Sequence, residues 1–139
     1  MKTTVTHAFL VICLCFFIVS CSDSPQEKII GEWKGKDSCG KVASFIFDAD
    51  NNAKLIIGNR VADEKTAGAK IIWKLDTSHD PMHLDLIITP PTGEKRIIPL
   101  IIRFLTDSKI QLRGSDDIKS RPITFSASDD KHQIILMKQ

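Results

Sequence analysis

The chain has 139 residues, with 42% hydrophobic and 26% charged side chains, enough for one modest core and too few for two domains. A formal net charge of +2, from 19 Lys+Arg against 17 Asp+Glu, gives no strong field of either sign and excludes the electrostatic signature of a nucleic-acid binder. No run of Lys and Arg makes a polybasic membrane patch either.

The first element in chain order is a leader. Lys2 supplies a short cationic start, and Ala8 to Val19 is an unbroken apolar run. As a helix at ~1.5 Å per residue it spans ~18 Å, well short of a ~30 Å hydrocarbon core, so it has the size of a signal h-region and not of a membrane span. The run ends in Ile18-Val19-Ser20-Cys21, which resembles a bacterial lipobox: aliphatic, small or β-branched, small, then cysteine. The resemblance implies a signal peptide over residues 1–20 and acylation of Cys21. Several acyl chains are needed because each buried methylene contributes only ~0.8 kcal/mol and one chain binds marginally. Ser22 stands where aspartate would signal inner-membrane retention. The expected address is therefore the periplasmic side of the outer membrane in a Gram-negative source, with membrane contact through the lipid anchor.

Cysteine usage follows from this. Cys13 and Cys15 leave with the leader and Cys21 carries lipid, so Cys39 keeps no intrachain partner. The domain is expected to hold together without a disulfide, with Cys39 as a free thiol or an intermolecular bridge.

Residues 21–28 are polar and contain Pro25, and they read as a lipidated tether. From Ile29 onward, short strand patterns alternate with turn formers through to Gln139. Strands are predicted at 30–36, 41–48, 53–57, 60–65, 69–76, 82–89, 94–105, 109–113, 122–127 and 133–137. Alternation is clean where Met82, Leu84, Leu86 and Ile88 share one face while His83, Asp85 and Thr89 share the other. Gly58-Asn59 suits a two-residue hairpin. Pro99 has no amide hydrogen to give to a ladder, so a bend, bulge or edge position is expected there. Helical signals are confined to single turns at 63–67 and 115–120, neither with an apolar stripe. The prediction is an all-β domain of antiparallel strands in up-and-down order.

The opening Ile29-Ile30-Gly31-Glu32-Trp33-Lys34-Gly35 resembles the first strand of the small lipocalin-like domains of bacterial lipoproteins. The resemblance implies a barrel of about eight to ten short strands over residues 29–139. Gly31 would turn the chain tightly into it, and Trp33 would plug its closed end. Lipocalins commonly lay an arginine over that tryptophan, and Arg113 and Arg121 are both candidates. This chain departs from the family in being shorter and in lacking an evident C-terminal helix. The alternative is a β-sandwich, in which Trp33 is a plain core aromatic.

Candidate chemistry is sparse. His79 and His83 are four apart with Asp80 and Asp85 nearby, a spacing that suits a helical metal site, but Pro81 lies between them. Two imidazoles with loose carboxylates are too few for zinc, so a solvated polar face is expected and no metal site is predicted. Asp116-Asp117 and Asp129-Asp130 read as hydrated loop acids, and no base or orienting group is placed to activate Cys39. No phosphate-binding loop, dinucleotide fingerprint, nucleophile elbow or Cys-x-x-Cys occurs after the leader. The expected function is non-enzymatic, without cofactor: binding of a small apolar ligand, or a scaffold role. The alternative is a protein-interaction or inhibitor module of the cell envelope. Phe45, Phe47, Trp73, Phe104, Phe125 and many isoleucines would leave the barrel packed or narrowly hollow.

Overall fold

A computed structural model describes residues 22–139 except 129 and 130; the leader, Cys21 and the Asp129-Asp130 pair lie outside the described residues. Nine strands form one antiparallel sheet: β1 (Gly31–Lys36), β2 (Val42–Phe47), β3 (Ala53–Ile57), β4 (Arg60–Ala62), β5 (Lys70–Asp76), β6 (Met82–Thr89), β7 (Arg96–Thr106), β8 (Lys109–Arg113) and β9 (Gln133–Lys138). Their order is β4-β3-β2-β1-β9-β8-β7-β6-β5. Two local meanders, β1 to β4 and β5 to β9, are thus joined where β1 pairs with β9. The sheet curls into a half-barrel with β4 and β5 as its free edges, and β5 comes against the β2–β3 hairpin at a seam. The isolated bridge Asn52–Ile72 and a main-chain bond from the Trp73 amide to the Asn51 carbonyl (2.8 Å) join the two meanders near that seam. A single curled sheet in up-and-down order matches the predicted class and is not a sandwich of two sheets.

Period-2 patterning decides the inside. Trp33, Phe45, Phe47, Leu55, Ile71, Trp73, Leu84, Leu86, Ile102, Ile110, Leu112 and Leu136 all enter one core cluster. Each buried aliphatic or aromatic side chain contributes on the order of 2 kcal/mol of transfer free energy. Trp33 sits edge-on to Phe104 with centroids 6.4 Å apart, and Phe47 edge-on to Trp73 at 5.9 Å, the arrangement ring quadrupoles favour.

Two short helices close the ends of this scheme. In α1 (Pro25–Ile29), the Ser24 hydroxyl accepts from the Glu27 amide while the Glu27 carboxylate accepts from the Ser24 amide, a full capping box with Pro25 in the first turn. Residues 25–28, expected to be unstructured tether, are therefore helical, and they carry fully buried Ile29 under the barrel. α2 (Glu64–Ala67) starts at Asp63, whose carboxylate accepts from the Thr66 amide (2.6 Å), and ends at Gly68. It fills part of the stretch expected to extend β4.

The predicted strand at 122–127 does not form. Residues 114–128 instead lie across the outer face of β6 to β9 without joining the ladder. Side chains hold them there: Arg121 bonds the Asp85 carboxylate and the Leu100 carbonyl, Arg113 donates to the Thr124 carbonyl, and Arg103 stacks on the Phe125 ring at 4.5 Å. Ile101 points outward, away from the core cluster, yet is fully buried. Pro99 faces Asp85 on β6, whereas the β8 ladder begins only at Ile101, so the first half of β7 is paired on one side only, the edge position expected for this proline. The register shift in β7 falls between Phe104 and Thr106 instead.

Candidate functional site

The two ends of the half-barrel differ. At the closed end, Trp33 is fully buried and donates its indole N–H to the Ile29 carbonyl (2.7 Å). Gly31, at φ +131°, turns the chain from α1 into β1. The cation over the Trp33 ring is Lys138, 5.2 Å from the centroid, and it also donates to the Lys28 carbonyl (3.0 Å). Neither expected arginine takes that place. Arg113 pairs with Gln133, five residues along β9 from Lys138, and Arg121 is committed to the outer face.

The open end presents a hollow of about 300 Å³ between opposite walls of the curl. Ala43, Phe45 and Ile57 of β2 and β3 face Leu100, Leu112 and Ile134 of β7, β8 and the start of β9. Lys131, His132 and Gln133 form a polar rim on one side and Asp37 on the other. The floor is shallow, since Phe45 and Leu100 are already 9% exposed and Leu112 only 2%. Ligand pockets run from roughly 300 to 1,000 Å³, so this hollow is at the small limit of that range.

Cys39 is exposed at the tip of the β1–β2 hairpin. The Asp37 carboxylate shapes that tip by accepting from the Cys39 and Lys41 amides at 2.9 and 2.8 Å. No base or orienting group is bonded to the thiol in any described contact.

A second cluster lies on the β5–β6 hairpin. Asp76 and His83 are direct cross-strand partners, and His79 comes back from the connecting loop to stack on His83 with ring centroids 3.8 Å apart and planes 15° from parallel. His79 Nδ1 lies 3.4 Å from the Asp76 carboxylate. One ligand atom from each of the three falls within 4.8 Å of the others. Bonds from the Ser78 side chain and then its backbone amide hold the Asp76 carboxyl below its ordinary pKa. Partial burial, then the nearby Arg121 charge and His79, push the His83 imidazole below its own. Of the residues weighed in the sequence, His79 and His83 meet, Asp85 is bound to Arg121, and Asp80 belongs to the loop. Asp76, the third member, carried no signal in sequence spacing because it reaches the histidines only through β5–β6 pairing. Asp116 is paired with His132, and Asp117 caps its own turn through Lys119 and Ser120. They form no shared acid pair.

No helix among the described residues is long and apolar enough to cross a membrane. No family model matches the chain, and no curated protein matches it. Among solved structures, it is similar to Treponema pallidum pallilysin, with 13% identity and a TM-score of 0.48 over 85% of this chain and 84% of that one.

Proposed function

We propose that the chain is a lipid-anchored envelope protein whose half-barrel is a non-enzymatic binding domain for a small apolar molecule. The observation that carries this reading is the asymmetry of the two ends. One is stoppered by Ile29 and Trp33, while the other leaves an apolar hollow between Phe45, Ile57, Leu100, Leu112 and Ile134. Its small volume, about 300 Å³, favours a compact apolar group. Anchorage through Cys21 would hold the domain at a membrane surface, where such molecules partition.

Two measurements test the parts separately. Metabolic labelling with a palmitate analogue should tag wild type and leave Cys21→Ala untagged; equal labelling removes the anchor. An environment-sensitive apolar dye such as anilinonaphthalene sulfonate should bind at one equivalent and lose at least tenfold in affinity in Ile134→Glu. Dye affinity unchanged by that substitution removes the hollow as the binding site. Native mass spectrometry of protein extracted from membranes should show no stoichiometric long-chain lipid in the barrel.

A further inference from the structure

We propose that Asp76, His79 and His83 form a binding site for a divalent first-row transition metal of the imidazole-favouring kind, zinc, copper or nickel. This inference stands apart from the apolar-ligand reading, because the hairpin cluster and the open-end hollow share no residue.

The donor set decides the chemical class. Two imidazole nitrogens and one carboxylate suit zinc, copper and nickel, whereas calcium and magnesium take oxygen ligands. Three protein ligands also leave coordination positions for water. The fold supplies convergence that the sequence spacing alone does not. Antiparallel register sets Asp76 opposite His83, and the turn through Ser78 returns His79 onto the same patch. Ligand atoms within 4.8 Å of one another need only a modest closure to share bonds of about 2.0–2.2 Å. That closure requires the two stacked rings to rotate so that both lone pairs aim at one point. His79 is exposed and on a loop, so it is the ring that moves.

Protonation states agree. A histidine must be neutral and a carboxylate ionised to ligate, and the surroundings of His83 and Asp76 favour those forms. Around the cluster, Asp80 adds negative charge from the loop, and Asp85 on β6 is neutralised by Arg121.

The test uses full-length protein in detergent, stripped with chelator and titrated with zinc chloride against a chromophoric competitor. Wild type should take up one equivalent at neutral pH. His79→Gln/His83→Gln should lose at least tenfold in affinity and Asp76→Asn several-fold, while His132→Gln keeps wild-type affinity. Magnesium and calcium should not compete. In the wild type, zinc should raise the thermal midpoint, and that rise should vanish in the double variant. Since these side chains are exposed or half-buried, the variants should otherwise melt as wild type does. Equal zinc affinity in wild type and the double variant overturns the site, and so does loss of binding in His132→Gln.

Discussion

Single residues at the β1–β9 joint carry more than their size suggests. A Cβ built on Gly35 would lie 2.2 Å from the Ile135 carbonyl oxygen, which is backbone and cannot step aside. Gly35→Ala should therefore push β1 off β9 and cost about 2 kcal/mol or more, read as a fall in the urea midpoint. A midpoint within error of wild type would mean that the two strands approach less closely. Trp33→Phe keeps an aromatic plug but removes the indole donor, leaving the Ile29 carbonyl without its bond and a void beside Phe104. A loss of about 2–4 kcal/mol is expected in the same assay. The importance of Gly31 and Trp33 was legible in the first strand. That of Gly35 was not, because its constraint comes from a strand roughly 100 positions away.

Elements respond to pH and to protease in ways that follow from their caps and pins. Asp63 accepts from the Thr66 amide at the start of α2 and pairs with Lys54, and these contacts hold its carboxyl down at about 2, from an ordinary 3.8. A depressed acid stabilises the fold above its unfolded pKa and loses that contribution as pH falls through the folded one. Wild type should then melt above Asp63→Ala at pH 6, with the gap closing between about pH 4 and pH 2; a gap constant with pH would contradict the assignment. On the outer face, Arg121→Met frees Asp85 and the Leu100 carbonyl together. About 1 kcal/mol of stability should go, the pair being partly exposed, and limited proteolysis should cut within 115–128 well before the strands. Period-2 patterning made eight of the strands readable to within one or two residues, and β4 at its start. The 122–127 run failed because local β propensity says nothing about whether an edge is free to pair. Ser24-x-x-Glu27 has the spacing of a capping box, a signal that the tether reading around Pro25 left unused. The Asp76 ligand was unreadable, since cross-strand register exists only once the hairpin is paired.

For the molecule as a whole, the core cluster of Trp33, Phe47, Trp73, Leu84, Ile102 and Leu136 gathers side chains from both meanders, so neither half keeps its interior without the other. The exposed Cys39 thiol is free, and no disulfide joins the described residues. Reductant should leave the thermal midpoint unchanged, whereas a drop on adding it would reveal a covalent link. The pairing of β1 with β9 also has a bearing on biogenesis. Trp33 finds Lys138 and Lys34 finds Met137 only after the roughly 100 residues between them have been made, and closing so long a loop is entropically costly and slow. A nascent chain emerging from the ribosome thus carries β1 with one of its two neighbours missing, and the clamp on Gly35 has nothing to grip. Delayed closure of this kind leaves β1 with an open edge until β9 has been made and docked.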